Sequence, residues 1–384
     1  MNTIKNKSYI SIRLLIFALL IIALSCNGYK KVILEFKEHV LALKDAYIKD
    51  KSLSIFTADL DHNNGYWILE GETTNSIIYS NLIRYTDSLL TKEKYTNRFM
   101  LLPDSALGDS NFAIVNVSVT PLREKPRHSS QMVDQAILGN TIKLLRYSNG
   151  WYLAQTHYNY VGWINSTGLH VCDSVKKNKW EIQTNYTTKK LQGYIFSQPN
   201  EGSQPVGDMV LNNVFIGKIK NKNWVSLLLP DGRSGFAKIE NMQLINKKLK
   251  KAIVPDFILQ QAYKMMGTPY LWGGNSTKGN DCSGFTQTIF KASGIQLPRD
   301  ARQQALEGVT ITPNKNWSNI HKGDLLFFGK EDRVTHVGIS IGGKNFIHQS
   351  GKVAINSLDE QSENFSPKRL ESFLFIKRIF NMSS

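Results

Sequence analysis

Apolar positions between residues 27 and about 110 recur at helical spacing. Phe36, Val40, Leu43 and Tyr47 follow one another at steps of 4, 3 and 4, as do Ile78, Leu82, Tyr85 and Leu89, so each set lines one helix face. Tyr66-Trp67-Ile68-Leu69 between them reads as a strand. The region is expected to be mostly helical. From residue 111 to about 247 the pattern changes to short β-rich runs punctuated by Gly, Asn and Asp. It also repeats: Gly150-Trp151-Tyr152 precedes Gly162-Trp163, and Asn223-Trp224-Val225 precedes Gly235-Phe236, with the copies offset by 73 positions. One strand–turn–strand hairpin accounts for each copy. Two copies predict tandem small β-barrels, residues 111–175 and 176–247, because a solenoid needs more repeats.

A charged connector, Asn246-Lys247-Lys248-Leu249-Lys250-Lys251, leads to Pro255, which suits the first turn of a helix faced by Ile258, Ala262 and Met265. Turn-rich residues 273–281 follow, then a helix-compatible segment with Phe285 and Ile289 at i, i+4. A further helix is expected around residues 299–306. The remainder alternates as strands: Asp324-Leu325-Leu326-Phe327-Phe328, His336-Val337-Gly338-Ile339-Ser340-Ile341 and Phe346-Ile347-His348-Gln349-Ser350. Helices first and an antiparallel meander afterwards make an α+β domain over residues 252–380.

The first 26 residues read as a targeting segment. Lys5, Lys7 and Arg13 precede the unbroken apolar run Leu14 to Leu24, the length of a signal-peptide core rather than a membrane span. The run ends Ala23-Leu24-Ser25-Cys26, which resembles a bacterial lipoprotein signal with Cys26 as the acylated residue, although Ala23 stands where leucine is usual. An ordinary secretory peptide and an uncleaved anchor are the competing readings. No acidic residue follows Cys26 closely, which favours an anchor in the cell envelope facing the periplasm. The chain has 384 residues, enough for several domains, and a net charge of +16. That charge is spread along the chain and no nucleic-acid motif accompanies it, so anionic envelope polymers or phospholipid are the expected contacts. Of three cysteines, Cys26 is assigned to lipid and Cys172 to a core or domain edge. Cys282 remains as a spare thiol in an exported protein.

Cys282 falls in the first turn of its helix, where unpaired N–H groups and the positive dipole end are expected to lower a thiol pKa. His336 and His348 are candidates for base and orienting partner. They lie twelve apart, so they share a sheet face only if the Gly342-Gly343-Lys344 connection has odd length or a bulge; a strict two-residue turn puts them on opposite faces. A Cys/His/His zinc site competes but lacks the usual paired-ligand spacing. No metal and no cofactor is expected.

The gly-Trp-Tyr and Gly-Trp-Ile strands (Gly150-Trp151-Tyr152, Gly162-Trp163-Ile164) resemble those of bacterial SH3-like domains. Thr268-Pro269-Tyr270-Leu271-Trp272-Gly273-Gly274, Asp281-Cys282-Ser283-Gly284-Phe285, Leu297-Pro298-Arg299-Asp300, Gly323-Asp324-Leu325-Leu326-Phe327-Phe328 and His336-Val337-Gly338-Ile339 together resemble the NlpC-type, papain-like cell-wall cysteine peptidases. With two SH3-like domains in front, the chain is similar to that family's γ-D-glutamyl-L-diamino acid endopeptidases. The resemblance implies a multidomain protein: a helical N-terminal region, two all-β SH3-like barrels and an α+β papain-like catalytic domain. It implies Cys282 as nucleophile, His336 as base, His348 as orienting partner, and Tyr270 supporting the oxyanion or the substrate carbonyl. Asp281 and Ser283 are implied to bind the polar backbone and carboxylate end of a muropeptide. A tyrosine of the first SH3-like domain, Tyr160 with Tyr158 as rival, is implied to read the free amine of an N-terminal L-alanine. Two departures bear on that selectivity. Gln131 stands where a glutamate is expected, and Arg302, where a serine is usual, either pairs with a substrate carboxylate or points to solvent. The expected enzyme is a monomer acting on peptidoglycan-derived peptides. The alternatives are an amidase or acyl-transfer enzyme of the same fold and an inactive wall-binding protein.

Overall fold

The computed structural model describes residues 28–91, 93–245 and 255–380. The expected signal segment with Cys26, and the connector at 246–251, lie outside the described residues. The chain divides into two compact units, one ending at Ser105 and the other beginning at Ala106.

The first unit corrects the expectation of a mostly helical region. Helices at 28–47 and Ser76–Leu89 are present, and Phe36, Val40, Leu43, Ile78 and Leu82 are buried as their spacing predicts, whereas Tyr47 is exposed. They share a core with a three-stranded sheet, Phe56–Asn63, Tyr66–Thr73 and Tyr95–Leu101 in that order, the first pair antiparallel and the second parallel. Only the middle strand gave a clear signal. Tyr95–Leu101 buries a single side chain, Phe99, and Phe56–Asn63 buries only Phe56 and Leu60, so neither shows period-two alternation.

The second unit opens with two seven-stranded sheets of the same strand order. The first runs Leu169–Cys172, Phe112–Val115, Thr141–Ser148, Trp151–Gln155, Val161–Asn165, Val119–Arg123, Met132–Ile137. Read from its other edge, the second runs Met242–Leu244, Tyr186–Thr188, Val214–Ile219, Trp224–Leu228, Ser234–Lys238, Gln192–Phe196, Pro205–Val210. The aromatic repeat marks equivalent central hairpins, with Trp151 and Trp224 both buried. Each sheet encloses its own apolar core. A helix, Ser174–Gln183, joins them; Asp173 caps it by accepting the Lys176 N–H at 2.7 Å, and the Trp180 indole donates to the Gly139 carbonyl at 2.9 Å. Cys172 is buried beside Trp180 and Ile114, a free thiol in a core edge.

The remaining residues form the α+β domain. Helices Pro255–Lys264 and Cys282–Ala292 pack on a six-stranded sheet ordered Val309–Ile311, Phe373–Arg378, Leu325–Lys330, Arg333–Gly342, Asn345–Ser350, Lys352–Ser357. Ile258, Ala262, Phe285 and Ile289 from the helices meet Leu325, Val337, Ile339 and Ile347 from the sheet in one buried cluster. The helix expected around 299–306 is shorter, Ala301–Gln304, with the Asp300 N–H donating to the Gln303 side chain. Among the described residues no helix is long and apolar enough to cross a membrane.

Candidate active site

Asp281 is the residue before the Cys282 helix, and its carboxylate accepts the Gly284 N–H at 2.7 Å, which fixes Cys282 as the first helical residue. Gly284 has no room for a side chain: a Cβ there would lie 2.0 Å from the Gly274 carbonyl oxygen. The 273–281 loop therefore folds directly against the helix start. Cys282 is 9% exposed, and the backbone amide of Val337, the neighbour of His336, favours its thiolate. The expected depression of the thiol pKa is not found. Burial, reinforced by the Asp281 carboxylate, pushes Cys282 up to about 11 against the pull of the Val337 and Ser283 amides.

The two histidines do share a face, by a bulge. The turn proper is Gly343-Lys344, with Asn345 pairing back to Gly342, and the register shifts between Ser340 and Gly342. The extra residue restores the parity that a two-residue turn would break, placing His348 opposite Gly338 and so on the side of His336. His336 Nε2 lies 2.8 Å from His348 Nδ1, and His348 Nε2 lies 2.9 Å from Asn356 Oδ1. Asn356 donates its amide to the Asn364 carbonyl at 3.0 Å, which turns its oxygen toward the histidine. His348 must then donate from Nε2 and accept at Nδ1. His336 donates from Nε2, which leaves its Nδ1 as the basic nitrogen. Burial lowers both: His348 to about 4, and His336 well below 6.5, helped by the charges of Arg369, His348 and Lys368. These shifts favour a neutral thiol and neutral imidazoles in the resting site.

Asp281 and Ser283, implied to contact substrate, both have partners inside the protein. Arg299, 1% exposed, donates to both Asp281 oxygens at 3.0 and 2.7 Å and to Ser283 Oγ at 3.1 Å; the Ser283 hydroxyl in turn donates to Asp281 at 3.2 Å, and the Gly273 N–H donates to it at 3.1 Å. Both side chains are used inside the protein to hold the loop and helix start. Arg299 also pairs with Asp134 of the first β-domain at 2.7 Å, both groups being fully buried. Burial raises Asp134 to about 6 even beside the guanidinium, whereas two carboxylates hold Arg299 firmly charged. We take the pair as ionised, since Asp134 also accepts the Tyr158 hydroxyl at 2.5 Å.

That bond separates the two candidate tyrosines. Tyr158 points at buried Asp134, whereas the Tyr160 hydroxyl donates to Asp300 at 3.2 Å. Arg302, half exposed, donates to the other Asp300 oxygen at 2.8 Å. Gln131 is not joined to this cluster by any hydrogen bond; it lines a groove of about 520 Å³ with Leu271, Trp272 and Lys278. Tyr270 stands at the cleft, 36% exposed, its phenol pushed up to about 12 by burial and by the nearby Cys282 and Asp281, so it remains a hydrogen-bond donor. Sequence reasoning missed Asn356, Asp134 and the site role of Asp300. Among the described residues, no group of three or more His, Cys, Asp or Glu side chains is placed to hold a metal ion.

Comparison with known proteins accords with this geometry. Residues 267–370 match the NlpC/P60 family and residues 118–170 match the bacterial SH3 domain. The chain is 27% identical over 259 residues to dipeptidyl-peptidase 6 of Lysinibacillus sphaericus, covering 65% of this chain and 92% of that protein. It is 39% identical over 141 residues to a probable endopeptidase NlpC homolog of Haemophilus influenzae, covering 36% of this chain and 70% of that one. It is also 44% identical over 94 residues to the γ-D-glutamyl-L-lysine dipeptidyl-peptidase of Bacillus subtilis, which is 24% of this chain and only 30% of that enzyme. An NlpC/P60 family protein from Bacillus cereus shares the fold, with a TM-score of 0.62 at 22% identity over 70% of this chain and 99% of that one. A buried thiol at a helix start, a histidine relay on the facing sheet and these relatives identify the chain as a member of the NlpC/P60 family of cysteine peptidases.

Proposed function

We propose that the protein hydrolyses the amide between the γ-carboxyl of D-glutamate and the diamino acid of peptidoglycan stem peptides, taking peptides with a free N-terminal L-alanine. The observation that carries this reading is the Tyr160–Asp300 pair, a phenol from the first β-domain and a carboxylate from the peptidase domain joined at 3.2 Å. Asp300 is the negative group an ammonium needs, and the first β-domain meets the peptidase domain at this pair. The chemistry follows from the relay. His336 Nδ1 takes the proton from the Cys282 thiol as sulfur attacks the γ-carbonyl carbon. The oxyanion that forms meets the helix N-terminal amides and the Tyr270 hydroxyl. His336 then protonates the leaving amine as the C–N bond breaks, and later draws a proton from the water that hydrolyses the thioester.

Arg302 modifies the selection. It already neutralises one oxygen of Asp300, so it competes with the incoming ammonium. Arg302→Ser is expected to lower KM for L-Ala-γ-D-Glu-L-Lys several-fold and to leave the N-acetylated peptide unaffected; equal rates on free and acetylated peptide in both proteins would remove the amine-reading role. The second seven-stranded sheet repeats the first strand for strand, which supports reading it as another SH3-like barrel. We further propose export with lipidation at Cys26 and a periplasm-facing anchor. Palmitate labelling that vanishes in Cys26→Ala is the expected result, and label that persists would refute it.

A further inference from the structure

This inference rests on the activity proposed above and concerns the other end of the substrate. His336 protonates the leaving amine, so whatever that amine carries must lie on the histidine side of the cleft. Arg369, on the short helix Pro367–Glu371, is half-buried on that side. Its Nη2 donates to Ser350 Oγ at 3.1 Å, two residues from His348 along one strand. Its guanidinium lies 5.6 Å over the ring of Phe328, which is itself 5.7 Å from the His336 ring.

Arginines so placed usually meet a carboxylate. Here none of the described carboxylates forms an ion pair with Arg369, and the group whose charge favours its own is the Cys282 thiolate. It also works against protonation of both histidines, a penalty with no visible return inside the protein. A cation held by a serine and an aromatic face, without an internal anion and beside the general acid, is arranged for an anion that arrives with the substrate.

We propose that Arg369 binds the α-carboxylate of the diamino acid on the leaving side of the scissile amide, making the enzyme selective for peptides that end at that residue. On this reading the substrates are products of an earlier peptide-trimming reaction that exposes the carboxylate. Arg369 is a specificity residue; its charge also lowers both histidines, an effect common to every peptide, so the ratio between peptides is what reports its role.

The test uses the full chain and three peptides: L-Ala-γ-D-Glu-L-Lys, the same peptide with a C-terminal amide, and the same peptide with D-isoglutamine replacing D-glutamate. Wild type is expected to prefer the free acid over the C-terminal amide by about ten- to a hundredfold in kcat/KM, the worth of one charge-assisted contact. Arg369→Gln is expected to abolish that preference by losing rate on the free acid, and Arg369→Lys to restore part of it. An equal loss on all three peptides would make Arg369 structural and overturn the proposal. So would an unchanged preference in Arg369→Gln, or a change confined to the D-isoglutamine pair, which would place the arginine on the other carboxylate. If wild type cleaves none of the three, the activity reading has failed and this inference falls with it.

Discussion

At Cys282 two opposing effects meet, and burial wins. The helix N-terminus and two backbone amides favour the thiolate, but burial of Cys282, a residue 9% exposed, with the Asp281 carboxylate nearby pushes the thiol up to about 11. Alkylation of the resting enzyme by iodoacetamide is therefore expected to rise with pH toward a midpoint near 11. A midpoint below 7 would show a resting thiolate–imidazolium pair instead. The histidines shift the acid side. A general base works only unprotonated, and His336 is held well below 6.5, so kcat/KM is expected to persist below the pH at which an ordinary histidine would be half protonated. Asn356 is the residue that local pattern could not reveal, because an asparagine on a strand is usually just a polar face. Its oxygen fixes the His348 tautomer through a 2.9 Å contact. Asn356→Ala is expected to lower kcat by about ten- to a hundredfold with KM nearly unchanged, as loss of an orienting partner does. Steady-state kinetics on a cleavable peptide checks it, and a pure KM effect would contradict it.

Among elements, local signals served well where apolar spacing was strong. The Pro255 and Cys282 helices and the three central strands of the peptidase sheet stand where their patterns place them. What spacing left open was parity, and one unpaired residue near Ile341 settled it by restoring a shared face for His336 and His348. The helix start is held by Arg299, and nothing local marks that. Its partners Asp281 and Asp134 lie 18 and 165 positions away in the chain, so the triad exists only after folding. Replacing Arg299 with Met would leave two buried carboxylates unpaired, and the expected loss is about 3–5 kcal/mol of stability. Chemical denaturation measures this directly; a loss under 1 kcal/mol would mean the carboxylates find other partners. Asp134→Asn is expected to be milder, because Arg299 keeps Asp281.

In the whole second unit, two β-domains grip one loop from different directions. From the first, the Gln135 side chain accepts the Asn275 N–H at 2.8 Å, and the Met132 carbonyl lies so near Gly273 that a Cβ would sit 2.4 Å from it. Gly273 also has a positive φ of 71°, which glycine adopts without strain. From the second, Asp208 pairs with Lys278, and Asn212 donates to the Thr288 carbonyl at 2.9 Å on the catalytic helix. The β-domains thus belong to the active site's framework, which their internal repeat alone did not announce. The first of them also brings Tyr160 to Asp300, the contact on which the proposed preference for a short peptide with a free amine rests. The most direct measurement is mass analysis of L-Ala-γ-D-Glu-L-Lys incubated with the full chain and with Cys282→Ala. The account predicts L-Ala-γ-D-Glu and free lysine from the wild type alone; an uncut peptide, or cleavage at the L-Ala–D-Glu bond, would contradict it.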